Sequence, residues 1–420
     1  MITLKKQHRG YEKYRDSDVE WLGKIPEKWE LVKFKGKFSV SNERVEDHPS
    51  VDQILSVSGY RGVEKKDVSS NEGQMPSEDV NQYRVVRPGQ LVVNTMWLNY
   101  TGLGVSKFTG YVSPAYRAYD IDDSMEPNFV HYLLRSFPYV QKYSSLLYGI
   151  RPNSLQVKPM DFERIEILVP SKKDQKKIAS YLDEKCALID DIIEGKKRQI
   201  DMFHEQRASV IENAVSGARH QDWQRIPIKF LVQRMDYGIS ENLKGDGEIK
   251  VLTMGNVQDG AVIIPENGCI DTVETNLLLR KNDLLFNRTN SFDLVGKVGL
   301  YEEESDIKVT FASYLVRMRT NEKAEPHFLN YVLNSESFLS HVRSLALRSL
   351  HQANLNPTRY GQLHIRIPRV QEQRHISANL NQQFQEINNR FRIIESSISL
   401  LNEYKTSLIS HVVTGKISVS

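Results

Sequence analysis

Residues 171–218 read SKKDQKKIASYLDEKCALIDDIIEGKKRQIDMFHEQRASVIENAVSGA, and this stretch decides the fold. Wound as a helix, it places Ala179, Cys186, Ile193, Ile200, Arg207 and Ala214 at one heptad position. Leu182, Ile189, Lys196, Phe203 and Val210 occupy the partner position. Nine of these eleven residues are apolar, which is the 3.5-residue period of a helical seam and not the alternation of a strand. A seam of this length needs a partner.

The partner is found 198 residues further on: Ser377, Phe384, Phe391, Ile398, Lys405 and Val412 at the first position, Leu380, Ile387, Ile394, Leu401 and Leu408 at the second. Both helices follow a proline-marked strand end, Ile167-Leu168-Val169-Pro170 and Ile365-Arg366-Ile367-Pro368. They run into similar ends, Val215-Ser216-Gly217 and Val413-Thr414-Gly415. The chain is an internal repeat built around two long helices. Lys196, Arg207 and Lys405 interrupt the seam and are expected at its edge with their charges in solvent; Arg207 and Lys405, equivalent in the repeat, are also candidates for setting register.

A chain of 420 residues exceeds one ordinary core, and the repeat predicts two globular units plus the helices. With 40% apolar residues and 9% aromatic, both units can bury a core. Fifty-six basic against 53 acidic residues leave only +3, so affinity for nucleic acid has to come from local clusters. Cys186 and Cys269 show no CxxC spacing, and neither reads as a disulfide partner or metal ligand. A reducing cytoplasmic setting is expected. The start, Met1-Ile2-Thr3-Leu4-Lys5-Lys6, lacks a signal-peptide core, and no run approaches the roughly 20 apolar residues of a membrane helix.

Between about 50 and 120, short apolar runs such as Ile54-Leu55-Ser56-Val57 and Leu91-Val92-Val93 are broken by Gly, Asn and Pro. The second half answers with Val251-Leu252-Thr253-Met254 and Asp283-Leu284-Leu285-Phe286, so both are read as strands separated by turns. Glu126-Pro127-Asn128-Phe129-Val130-His131-Tyr132-Leu133-Leu134 then matches Glu325-Pro326-His327-Phe328-Leu329-Asn330-Tyr331-Val332-Leu333, an amphipathic helix started by proline in each unit. The offset is 194 at Trp29 and Trp223, 193 at Asn94 and Asn287, 199 at the Glu-Pro helices and 198 along the long helices. It drifts where loops vary and holds where the scaffold is constrained. The expected class is α+β: two mixed units, 1–170 and 219–368, with helical spacers 171–218 and 369–420 packed antiparallel.

The duplicated units and helices, together with Val19-Glu20-Trp21-Leu22-Gly23-Lys24-Ile25-Pro26-Glu27-Lys28-Trp29-Glu30, resemble the DNA-specificity subunit of a Type I restriction-modification system. Further matching pieces are Asp174-Gln175-Lys176-Lys177-Ile178 after Val169-Pro170, Glu372-Gln373-Arg374-His375-Ile376 after Pro368, and Val413-Thr414-Gly415-Lys416-Ile417. The resemblance covers essentially the whole chain, and the order and duplication of the motifs make it specific. It implies two target recognition domains, each binding one half of a bipartite, asymmetric site in double-stranded DNA, with the helices fixing the spacer. It also implies two modification subunits docked on this chain and restriction subunits joining them. S-adenosylmethionine, ATP and magnesium would then belong to those partners.

Base reading needs Arg, Lys, Asn and Gln on loops held by a firm core. Three loop pairs qualify. The first is Asn94, Trp97 and Asn99 with the counterparts Asn287, Arg288 and Asn290; the alternative makes Trp97 and Phe292 core and the amides turn caps. The second is Tyr60 and Arg61 with Asn256 and Gln258, which Gly-flanked turns would also explain. The third is Arg151 with Arg348 and Gln352, for phosphate or base.

Enzyme readings are weaker. The Asn/Asp-Pro-Pro-aromatic motif of a base-amino methyltransferase is absent, and the residues around Gly296-Lys297 do not make a P-loop. Asp236 with Glu248 and Lys250 superficially resembles a nuclease set, but Met235 and the turn Gly245-Asp246-Gly247 argue for coincidence. The alternatives kept open are a coiled-coil scaffold whose heads bind proteins, and a metal-dependent nuclease centred on Glu248.

Overall fold

The structure is a computed structural model that describes residues 9–59, 61–66, 79–149, 155–216, 220–303, 306–348 and 352–419. Four helices organise it: α1 (Pro127–Arg135), α2 (Lys172–Val215), α3 (Pro326–Leu333) and α4 (Val370–Val413). Helices α2 and α4 are each 44 residues and uninterrupted, roughly 65 Å at 1.5 Å per residue. The chain divides into two compact units, Met1–Lys196 with Ser396–Ser420 and Lys197–Glu395. Each unit thus takes in part of both long helices, where the sequence division had set the helices apart from the globular domains.

The first unit is built on a four-stranded antiparallel sheet in the order Phe38–Ser41, Tyr116–Ile121, Leu91–Asn94, Leu103–Val105. Leu91, Val92 and Val93 are all buried because both faces of that central strand are covered. Helix α1 begins at Pro127, whose missing N–H costs nothing at a helix start, and buries Phe129, Val130, Leu133 and Leu134. Strands Glu30–Lys33 and Glu166–Val169 pair antiparallel and bring the entry and exit of the unit together. Ile178, Ala179, Leu182, Ile189 and Ile193 of α2 share its core with Leu408 and Val412 of α4, and Ile398 and Leu401 pack against it.

The second unit repeats the plan. Its larger sheet runs Val232–Tyr237, Leu315–Thr320, Asp283–Asn287, Val298–Tyr301, Ala261–Val262, Val257–Gln258. Strands Gln224–Pro227 and His364–Ile367 close it as their counterparts close the first unit. Leu380, Phe384 and Ile387 of α4 join the core, with Phe203, Val210 and Phe391 packed against it. Phe203 meets Phe391 edge-on at 5.7 Å, and one turn further along α2 the Arg207 guanidinium lies 5.0 Å from the Phe384 ring, so the helices run antiparallel. Ile394 is buried and Ile200 half-buried, so burial along the seam is uneven.

Two of the three residues that break the seam, Arg207 and Lys405, are engaged, contrary to the expectation of free charges in solvent. Lys405 Nζ donates to both carboxylate oxygens of Asp190, at 2.7 and 2.6 Å. Arg207 lies over Phe384 and donates to the Asp259 carbonyl at 3.2 Å. A partner within reach wins over exposure at both positions.

Candidate nucleic-acid interface

In the first unit, the loop after strand Leu91–Asn94 turns through a short 3-10 segment, Leu98–Tyr100, and closes with Thr101 in the left-handed region. Leu98 is buried beneath it, so the loop is anchored from below. Its outer surface carries Met96, Trp97 at 58% exposure and Tyr100 at 64%, with the two rings 5.5 Å apart. Asn94 is buried, and its Oδ1 accepts the Met96 N–H at 3.1 Å. Asn99 is half-buried, and its Oδ1 has no partner among the described residues.

The other two loops of this unit meet the first. Gly59 lies so close to the Tyr100 carbonyl that a Cβ would sit 2.3 Å from that oxygen, which only glycine tolerates. Arg61 is exposed and pairs with Glu64 at 3.2 Å. The hairpin Leu147–Tyr148 with Gln156–Val157 joins the loop through Val157 N–H to the Thr95 carbonyl at 3.0 Å. Lys158 follows, its ammonium 4.8 Å from the centre of the exposed Tyr148 ring. Tyr60 and Arg151 lie outside the described residues.

In the second unit, the corresponding loops form a small sheet: Thr289–Asn290 pairs with Ala353–Asn354, and Ala353–Asn354 pairs with Leu347–Arg348. Two loop pairs singled out in the sequence therefore converge. The Arg288 guanidinium lies 5.2 Å from the ring of Tyr237, and Tyr237 and Tyr314 are exposed. Gln352 is exposed at the tip, and the Arg348 side chain is outside the described residues. Asn290 is buried, and its Oδ1 accepts the Ser291 N–H at 2.8 Å.

Several expected contact residues face inward in this structure. Asn287 is 1% exposed, and neither end of its amide has a partner among the described residues. With Asn94 it supports the loop from below, because each ends a central strand covered on both faces. Asn256 accepts from the Thr253 N–H and hydroxyl at 2.7 and 3.0 Å and so closes a capping box. Gln258 is exposed but donates to the Gly255 carbonyl at 2.9 Å. Phe292 is half-buried against the core while its counterpart Trp97 is exposed, so the two loops differ in kind.

The electrostatics follow from burial. Desolvation lowers Arg135 to about 10, and His131 falls to about 3 through burial first, then the Arg135 and Lys107 charges. In the second unit Arg317 is fully buried and held by Asp236 at 3.2 and 2.5 Å. Arg319 grips Asp283 through two 2.7 Å bonds. Asp236 is thus spent on Arg317 and Arg234, while Glu248 is exposed beside Lys308 at 3.7 Å, so these two carboxylates do not form one site. No group of three or more His, Cys, Asp or Glu among the described residues is arranged to hold a metal. No helix among them is long and apolar enough to cross a membrane.

Two similar mixed units with clustered loops, each taking in part of two long helices, define an internally repeated α+β protein. A solved structure from work on complex assembly and conformational transition of the type I R-M system shares this fold, with a TM-score of 0.67 at 13% identity over 93% of this chain and 98% of that one. In sequence, the chain is 26% identical over 310 residues to the Type I restriction enzyme StySPI specificity subunit of Salmonella potsdam, across 70% of this chain and 66% of the relative. It is 23% identical over 306 residues to the EcoKI specificity subunit of Escherichia coli (strain K12), across 69% and 65%. These relatives are Type I specificity subunits, the family that the motifs resemble. The matches span just under two thirds of their length. No family model matches the chain.

Proposed function

We propose that this chain is a non-catalytic specificity subunit that binds double-stranded DNA, each unit reading one half of a bipartite, asymmetric target. The observation that carries this is the convergence of repeat-related loops in each unit, with the exposed Trp97, Tyr100, Arg61 and Lys158 in one and the exposed Tyr237 and Tyr314 beside the half-buried Arg288 in the other. Cations position on phosphate, and side chains on rigid loops read base edges. The uninterrupted α2 and α4, each passing through both units, support the further reading that the helices set the spacer between half-sites. Following the resemblance, two modification subunits dock on the chain, restriction subunits join them, and S-adenosylmethionine, ATP and magnesium act on those partners.

The test is binding of the full chain to a labelled pool of random-sequence duplexes across a salt series. A surface contacting about six phosphates loses roughly a thousandfold in affinity between 50 and 200 mM salt. Binding that is absent, or indifferent to salt, would favour a scaffold whose heads bind proteins.

A further inference from the structure

On α1, His131 and Arg135 stand four residues apart and so lie on one face of the helix. Arg135 gathers main-chain carbonyls from two separate loops. Its Nη1 donates to Ser58 at 3.4 Å, to Thr101 at 3.0 Å and to Leu103, and its Nη2 donates to Gly59 at 2.9 Å. Every acceptor it reaches among the described residues is a carbonyl, so no carboxylate neutralises it. His131 Nδ1 accepts the Val105 N–H at 3.3 Å, and its Cε1 would stand 2.8 Å from a Cβ on Gly62, which adopts φ +85°.

The second unit places Asn330 and Asn334 at the equivalent positions, 199 residues on. Asn330 Nδ2 donates to the carbonyl of Gly260, at φ +84°, over 2.7 Å. Asn334 accepts the Val298 N–H at 3.0 Å and donates to the Val298 carbonyl at 2.9 Å. A polar pair one turn apart thus stands under a left-handed glycine in both units, with different chemistry. The first unit uses a cation that joins two loops, and the second uses neutral amides that join a turn to a strand.

We propose that Arg135 is the positioning residue that fixes the DNA-reading loops of the first unit, and that Asn330 with Asn334 fix the 255–260 turn of the second, which carries the exposed Gln258. This rests on the proposed function. Without Arg135, the 58–59 turn and the 101–103 segment lose a donor they share, and their relative placement loosens. The exposed residues on them, Arg61, Trp97 and Tyr100, then lose their common register on the duplex. Arg135 also leaves a positive charge at the base of both loops, where a phosphate backbone gains from it.

The experiment selects bound duplexes from a random-sequence library with the full chain and with Arg135→Ala, Arg135→Lys and Asn330→Ala/Asn334→Ala variants. The wild-type chain returns a two-part consensus. Arg135→Ala flattens one half and keeps the other, and its affinity for the wild-type duplex falls roughly 10- to 100-fold, the scale of one or two lost base contacts. Arg135→Lys flattens the same half while retaining affinity for random duplex, which separates placement from charge. The double asparagine variant flattens the opposite half. The half that survives shows that the unmutated unit has folded, and unchanged hydrogen-exchange protection along α1 or α3 shows the same of the mutated one. Retention of both halves by Arg135→Ala, or equal loss of both, overturns the assignment. A wild-type chain that returns no consensus removes the DNA-reading function itself, and the assignment with it.

Discussion

Gln175 and Gln373 offer the sharpest test of how the long helices are fixed to the units. Gln175 is fully buried; its Nε2 donates to the carbonyls of Ser124 and Pro170 at 3.0 and 2.9 Å, and its Oε1 accepts the Glu126 N–H at 2.7 Å. Gln373 repeats this with Lys323, Pro368 and Glu325 at 2.9, 2.8 and 2.9 Å. Each side chain therefore locks the first turn of a long helix to the start of α1 or α3. Gln175→Leu keeps the volume but leaves one N–H and two carbonyls buried without that partner. At about 1–3 kcal/mol for an orphaned group, partly relieved by relaxation, the cost is roughly 3 kcal/mol, or about a hundredfold in local opening. Hydrogen exchange read by mass spectrometry suits a chain of two units, for which a single unfolding midpoint is ill-defined. Exchange across 124–134 should accelerate about a hundredfold in Gln175→Leu and stay unchanged across 325–333, with the reverse for Gln373→Leu. Gln175→Glu should not rescue, since an ionised carboxylate cannot donate to two carbonyls. Unchanged exchange at 124–134, or equal acceleration in both units, would refute the reasoning.

His131 is held neutral by burial, at about 3 against 6.5 in an exposed setting. Below pH 6.5 the unfolded chain binds a proton that the folded chain refuses, so the first unit loses stability as pH falls from 6.5 toward 3. Up to about 2 kcal/mol should be gone by pH 5, and His131→Asn should flatten the dependence in paired exchange measurements at pH 7 and 5. Ile193 and Ile394 are 8% and 9% exposed, so replacing both with Asp buries two unpaired carboxylates. A loss of at least about 3 kcal/mol in helix protection is expected, and unchanged exchange along α2 and α4 would count against the seam. Inserting seven residues into both long helices adds roughly 10 Å, or about three base pairs. The selected consensus should keep both halves with a longer gap; an unaltered gap would show that the helices do not measure it.

The scaffold was legible because its signals are periodic and duplicated. A heptad pattern recurring 198 residues later, and proline-started helices at matching places, survive any uncertainty over single residues. The strand pairings and their end connections were not legible, since short runs of Val and Leu carry no record of which run they pair with. Buried polar residues were the chief blind spot. Gln175 and Gln373 look like surface positions at a helix start, and Asn94 and Asn287 look like turn residues, yet all four are buried. Arg317 sits within Leu315-Val316-Arg317-Met318, and nothing local announces that Asp236, remote in sequence, neutralises it. Arg135 and Asn334 left one trace: polar residues one turn after His131 and Asn330 in helices already matched by the repeat.

The most direct measurement is a genome-wide methylation map of cells expressing this chain with modification subunits. The account predicts one bipartite, asymmetric sequence, methylated in both halves and separated by a gap of constant length. A single uninterrupted motif, gaps of varying length, or methylation that does not change when this chain is replaced would contradict it.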